Sequence, residues 1–357
     1  MPGFHEREST MARPAKISNE AQAIAERVRG GDMRAAARLM RNLDDGLPEA
    51  VEVLRALFPH TGNAYVIGIT GSPGAGKSSI TDRLIAHYRK EGKTVGVVAV
   101  DPTSPFSGGA ILGDRIRMQD HALDPGVFIR SLATRGSLGG LSRATSDVTR
   151  VLDAMGKDVI LVETVGVGQD EIDVASLAHT TIVVVVPGMG DDIQAIKAGI
   201  LEVADVFAIN KADREGADRT ERELRAMIEL RHVTAPADHD AHHRFRAAAT
   251  KAEARSDDLS WEPPIVRTIA TRDHGFGELA EAIARHRAHL EERGGRLARE
   301  ATRARAEFLA ILRDRLVRSA LEKIAEEQGA LDELAARIAR KETDPYALAE
   351  DVAARLR

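Results

Sequence analysis

Eight consecutive residues, Gly71-Ser72-Pro73-Gly74-Ala75-Gly76-Lys77-Ser78, hold the densest chemistry in the chain. They fit the G-x-x-x-x-G-K-[ST] spacing of a phosphate-binding loop, and Ser79 completes the candidate segment. Glycines so placed let backbone N–H groups close around phosphate oxygens at the positive end of a helix. Lys77 would then reach the β- and γ-phosphates, and the Ser78 hydroxyl a Mg²⁺ ion. A second motif, Asn210-Lys211-Ala212-Asp213, has the N-K-x-D pattern of guanine specificity. The Asp213 carboxylate can accept from guanine N1–H and from the exocyclic amine, and adenine offers neither donor in that geometry. Charge-assisted bonds contribute about 1.5–3 kcal/mol each, enough for roughly hundredfold discrimination. Asn210 would face N7, and the Lys211 stem would cover the base. Three acids form a candidate Mg²⁺ set with Ser78: Asp101, Asp114 and Glu163. Gly166 is placed to sense the γ-phosphate through its N–H, and the N–H of Ala270 to meet the guanine carbonyl.

These residues need a frame. Tyr65-Val66-Ile67-Gly68-Ile69-Thr70 reads as a buried strand ahead of the glycine loop, and Ile80, Leu84, Ile85 and Tyr88 recur behind it at helical spacing. Further strands are expected at 95–100, 127–130, 159–163, 181–186, 205–209 and 265–268. Most are short, continuous runs of valine and isoleucine, as strands covered on both faces should be. With helical patterns between them, they predict an α/β fold: a mainly parallel sheet wrapped by helices. Most of the motifs fall at carboxyl ends of strands, where such sheets bind ligands. Residues 17–60 read helical, broken by Gly30-Gly31. Beyond about residue 290 the strands stop. Leu309, Leu312, Leu316, Ala320 and Ile324 form one apolar helical stripe, Leu331, Leu334 and Ile338 a second, and Tyr346, Leu348, Val352 and Leu356 a short last one. The expected organisation is a helical extension over 1–60, a nucleotide-binding domain over 61–292, and a helical arm over 293–357. The arm must bury its stripe, on a second subunit or on its own domain.

The chain has 357 residues, a formal net charge of −5 and no cysteine. The charge gives no reason to expect nucleic acid or a membrane surface as partner. The missing cysteines exclude disulfides and thiolate zinc sites. No apolar run approaches bilayer length, and the polar first twenty residues resemble no targeting peptide. A cytoplasmic chain is expected.

Taken together, the motifs resemble those of the G3E-type P-loop GTPases. More closely, the chain is similar to the MeaB/ArgK/MMAA family, the G-protein chaperones of adenosylcobalamin-dependent acyl-CoA mutases. The resemblance runs through the glycine loop, Val100-Asp101-Pro102-Thr103-Ser104, Gly113-Asp114-Arg115-Ile116-Arg117-Met118, Val162-Glu163-Thr164-Val165-Gly166-Val167-Gly168-Gln169, and a segment from Pro187 to Lys197. It covers residues 60–295 well and the helical ends loosely. It implies a Mg²⁺-dependent GTP hydrolase that cycles between GTP and GDP. It also implies that Asp101, Asp114 and Glu163 are the magnesium-site acids. Arg117 would lie in a first switch, Gly166 and Gln169 in a second, and Lys197 in a third that communicates with the mutase. The C-terminal helices would make a homodimer. Three features depart from the family pattern: Ile269 replaces the usual serine, the basic run is scattered as Arg293, Arg296, Arg299 and Arg303, and 231–260 is rich in histidine.

Among the polar residues, Gln169 is the candidate for orienting water, while Arg117 and Lys197 are candidates for neutralising transition-state charge. Slow hydrolysis alone and faster hydrolysis with the partner are expected. The implied task is to gate cofactor loading and to protect or reactivate the mutase, with methylmalonyl-CoA mutase the default. A metallochaperone GTPase for nickel or zinc is the first alternative, resting on His232, His239, His242 and His243 with Asp238 and Asp240. A P-loop kinase of a transport protein is the second, although no acceptor site is visible. A nucleotide-dependent scaffold without turnover is the third.

Overall fold

The computed structural model describes residues 16–102, 121, 123–134, 140–164, 170–188, 203–233, 261–327 and 331–355. The chain enters through three helices, α1 (Asn19–Arg29), α2 (Met33–Asp44) and α3 (Pro48–Leu57). Ser18 caps α1 by accepting from the Ala21 N–H, and Asp32 caps α2 by accepting from Arg34 and Ala35. Between them Gly31 takes a left-handed φ of +83°, so the glycine pair ends one helix and turns the chain into the next.

The alternating region follows as β1 (Tyr65–Gly71), α4 (Lys77–Lys90), β2 (Val95–Pro102), β3 (Val127–Thr134), α5 (Gly140–Ala154), β4 (Val159–Thr164), α6 (Asp170–Leu177), β5 (Thr180–Val185), β6 (Val206–Asn210), α7 (Ala217–Val233), β7 (Ile265–Thr268) and α8 (Phe276–Glu292). All seven expected strands are present, within a few residues of their predicted ends. They form one parallel sheet in the order β3-β2-β4-β1-β5-β6-β7. The chain lays β2, β3 and β4 on one side of β1 and then β5 on the other. The glycine loop after β1 thus sits at the reversal, where open parallel sheets bind ligands.

Residues alternate between the two sheet faces, and the pleat decides which side chains can meet. Ile67, Ile69, Leu161, Val184 and Ala208 face α4 and α8 in one core. Val66, Val98, Val100, Ile160 and Val162 face the other way, against α5 and α6. Val28, Leu39, Val53 and Leu57 of the entering helices belong to this second core. The N-terminal segment is therefore packed onto the sheet. Gly68 permits the close approach of α6, because a Cβ there would lie 2.8 Å from Val174 Cγ1.

The tail comprises α9 (Gly295–Glu327), α10 (Leu331–Ala339) and α11 (Pro345–Arg355). The scattered arginines explain how α9 is held. Arg296 donates to Gly62 O at 2.7 Å, Arg299 to His179 O at 3.0 Å, and Arg303 to Leu177 O at 2.7 Å. Farther along, Glu307 pairs with Arg150, and Asp314 with Arg143 at 3.7 Å. Spacings of three, four and seven residues put these groups on one polar docking face. Leu309, Leu312, Leu316, Val317 and Leu321 remain exposed. Residues of α9, α10 and α11, among them Leu316, Ile324, Leu334, Ile338, Leu348 and Val352, line an open apolar cavity of about 450 Å³. Tyr346, expected in the last stripe, is 82% exposed. Leu356 lies outside the described residues.

Candidate functional site

The site grows from the end of β1. Gly71 has φ +135°, and a Cβ there would come within 2.1 Å of Val184 O. Gly76 has φ +90° and opens α4 with no side-chain cap. The N–H groups of that first turn are thereby kept for another acceptor, at the positive end of the helix. Lys77 is buried and its ammonium donates to Gly71 O at 2.7 Å and to Ser72 O at 3.0 Å. Pro73, Gly74 and Ala75 complete the loop between them.

Glu163 is the next-to-last residue of β4, in the register of Val159 and Leu161, on the face that carries α4. Its side chain is 3% exposed. Ser78 Oγ donates to Oε1 at 2.6 Å, and Thr81 Oγ1 donates to Oε2 at 2.7 Å. The Thr81 hydroxyl also lies 3.0 Å from Lys77 O. One hydroxyl holds one proton, and the shorter contact to an ionised acceptor is the stronger. Serine and carboxylate oxygens, brought together beside the loop lysine, are hard donors that fit Mg²⁺. Asp101 stands near the end of β2, in register with Ala133, and its backbone alone is described.

The N-K-x-D segment approaches the loop from β6. Asn210 is buried, and its Nδ2 donates to Ala75 O at 2.9 Å. Its Oδ1 lies 3.4 Å from the Thr268 hydroxyl of β7. Lys211 adopts φ +56° and reaches across to donate to Gly74 O at 2.9 Å. Asn210 and Lys211 thus brace the phosphate loop directly. Asp213 is partly exposed, with Arg272 Nη2 3.8 Å from its Oδ2. Ala270 begins the 3₁₀ turn Ala270–Arg272 after β7, and its carbonyl accepts from Arg83 Nε of α4 at 3.0 Å. Ile269 occupies the departing position as a backbone pair with His274, at 3.0 Å from Ile269 N to His274 O.

The structure therefore gathers Lys77, Ser78, Glu163, Asn210, Lys211, Asp213 and Ala270 at one end of the sheet, around the loop from Gly71 to Ser79. Asp114, Arg117, Gly166, Gln169 and Lys197 lie outside the described residues, as do His239, His242 and His243. His232 falls in the last turn of α7. Thr81, Arg83 and Arg272 join the site without having been singled out by any motif. Thr81 carries a faint signal, a polar side chain one turn past Lys77 on a helix face that is otherwise apolar.

The sequence matches the family described as "Methylmalonyl Co-A mutase-associated GTPase MeaB" over residues 36–325. The chain belongs to the MeaB family. Its relatives include a putative GTPase of Pyrococcus abyssi, 48% identical over 327 residues that cover 92% of this chain and 94% of that protein. GTPase ArgK of Escherichia coli is 36% identical over 261 residues, 72% of this chain and 73% of that one. The mouse protein called methylmalonic aciduria type A homolog, mitochondrial, is 33% identical over 219 residues, 61% of this chain and 48% of its own. A crystal structure described as an LAO/AO transport system kinase superposes with a TM-score of 0.62 at 22% identity, covering 96% of this chain and 99% of the other. That likeness concerns the fold. As a MeaB-family GTPase, this chain has the expected α/β P-loop architecture, with the motifs collected at the carboxyl end of its parallel sheet.

Proposed function

We propose that this MeaB-family chain hydrolyses GTP to GDP and phosphate slowly by itself and faster when a partner engages it. The partner is an adenosylcobalamin-dependent acyl-CoA mutase, whose cofactor loading the chain gates and which it protects or reactivates. The observation that carries the reading is the buried Glu163 carboxylate, 2.6 Å from the Ser78 hydroxyl beside Lys77. In this arrangement Lys77 neutralises phosphate charge, the first turn of α4 receives phosphate oxygens, and Asp213 selects guanine. Ser78 and Glu163, with Asp101 and Asp114, would hold Mg²⁺, which when bound supplies charge neutralisation across the phosphates. Gly166 would sense the γ-phosphate, Gln169 would orient water, and Arg117 and Lys197 would complete the charge balance once the partner arranges them. The family's description, which names methylmalonyl-CoA mutase, supports the choice of partner.

We read the chain as an N-terminal helical extension to residue 60, a G domain over 61–292, and a C-terminal arm that pairs two copies. Among the described residues no helix is long and apolar enough to cross a membrane, and the proposed place of action is the cytoplasm. The test is phosphate release from GTP with and without purified methylmalonyl-CoA mutase. Stimulation is expected for the wild type, and Lys197→Ala should lose the stimulation while keeping basal turnover. Equal loss of both rates would refute the role given to Lys197, and no response to any mutase of the class would refute the partner.

A further inference from the structure

We propose that a recessed arginine pocket between α2 and β3 binds a phosphoryl group, presented by a small organic phosphate ester. The cavity measures about 460 Å³ and is lined, among the described residues, by Ala37, Arg38, Arg41 and Arg130. That volume lies in the range of small-molecule sites and far exceeds what a bare oxyanion fills.

Three observations converge on the ligand's chemistry. First, Arg130 sits on β3 between Phe128 and Leu132, in the same pleat register as those two core residues. Strand β3 is the edge of the sheet. A charge turned inward on an edge strand guards against strand pairing. That role needs one arginine, and two more from another element meet it here. Second, α2 is basic along its polar face. Arg34, Arg38 and Arg41 follow at spacings of four and three, and from Met33 to Leu43 the helix carries no acid. Like charges so placed on a helix repel by a few tenths of a kcal/mol. In a chain of net charge −5 this concentration is local. Third, the carboxylate that caps the first turn of the helix is already used. Asp32 Oδ1 accepts from the Arg34 and Ala35 N–H groups, and Oδ2 accepts from Arg27. Arg38 and Arg41 are exposed and form no ion pair among the described residues. Guanidinium forks match the tetrahedral oxygens of a phosphoryl group and hold them with paired bonds. The pocket lies on the α5 side of the sheet, whereas α4 and its loop lie on the other.

The experiment keeps the nucleotide site filled. The full chain is saturated with Mg²⁺ and GDP, then titrated calorimetrically at low salt with AMP and, separately, with inorganic phosphate. AMP should bind one to one. Arg38→Ala and Arg41→Ala should each weaken it about tenfold, with melting temperature and GDP affinity unchanged, because both side chains are solvent-facing. Arg130→Lys keeps the half-buried charge, loses the fork and should weaken AMP as well. AMP binding tighter than phosphate assigns the site to an ester, and equal affinity assigns it to free phosphate, the phosphoryl reading standing either way. The proposal is overturned by no heat from the GDP-loaded wild type at millimolar ligand. Unchanged affinity in both alanine variants would overturn it too, as would a poly-glutamate peptide that binds more tightly than AMP.

Discussion

Removing the Thr81 hydroxyl tests whether Glu163 is held by two hydroxyls or by one. Thr81→Val is nearly isosteric at a site that is fully buried, so packing changes little. It deletes the 2.7 Å bond to Glu163 Oε2 and leaves Ser78 Oγ on Oε1 at 2.6 Å. A hydrogen bond to an ionised group contributes about 1.5–3 kcal/mol, and a buried acceptor deprived of its donor adds to the loss. The weaker second contact of Thr81, to Lys77 O, competes with the first and offsets part of it. We therefore expect about 2 kcal/mol of destabilisation by urea unfolding. A carboxylate that loses one of its hydroxyl donors is held less firmly about its terminal bond. The same loss should thus weaken the Mg²⁺-dependent part of GDP affinity roughly tenfold, since 1.4 kcal/mol is a factor of ten. Affinity in excess EDTA should not move, because Thr81 touches neither loop glycines nor the guanine segment. Fluorescent-GDP titrations across a Mg²⁺ series read both quantities, and Thr81→Ser should restore them. Equal affinity changes with and without Mg²⁺, or no rescue by serine, would refute the clamp.

Three further outcomes follow from named contacts. Burial pushes the Asp147 carboxyl up to about 6, against the lowering effect of Arg150 and Arg143. Its folded pKa lies above the ordinary 3.8, so between about pH 4 and 6 the folded state keeps a proton that the unfolded chain has released, and stability falls as pH rises. Two units correspond to about 2.7 kcal/mol, so Asp147→Asn should flatten that segment of the urea-midpoint profile. Asn210→Ala removes the 2.9 Å brace on Ala75 O, and GDP should bind about tenfold more weakly even in EDTA, read by the same titration. Leu316→Glu places a charge on an apolar face that is 56% exposed at that residue; by light scattering the wild type is expected at the mass of the proposed dimer and the variant at that of a monomer.

The strands and the two nucleotide motifs were legible because each is local. Strands covered on both faces must be apolar throughout, so Val159-Ile160-Leu161-Val162 announces itself without knowledge of its neighbours. The glycine loop and N-K-x-D are set by backbone geometry within a few residues. What stayed hidden is pairing across the sheet. Thr81 and Glu163 are 82 residues apart, and Arg83 and Ala270 are 187 apart. Only the strand order brings β4 beside β1 and β7 beside β6. The entering helices were legible as helices through Val28, Leu39 and Leu57, but nothing in their spacing says that they share a core with Ile160 and Val162. The docking of α9 was hidden for a different reason. Arg296, Arg299 and Arg303 look like a solvated face, and only the fold supplies the carbonyls they meet.

Those carbonyls join the two ends of the molecule. Arg303 holds Leu177 O, the last residue of α6, and Arg299 holds His179 O just beyond it. Helix α6 begins at Asp170, directly after the segment that contains Gly166 and Gln169. One short helix thus links the residues proposed to sense the γ-phosphate to the helix proposed to pair two copies. Its contact with β1 is close, through Gly68, so a displacement at its start cannot be absorbed by loose packing there. The fold therefore places the nucleotide chemistry and the arm at opposite ends of α6, and the described polar contacts between that helix end and α9 include two arginine–carbonyl bonds and the His179–Glu300 pair at 3.6 Å.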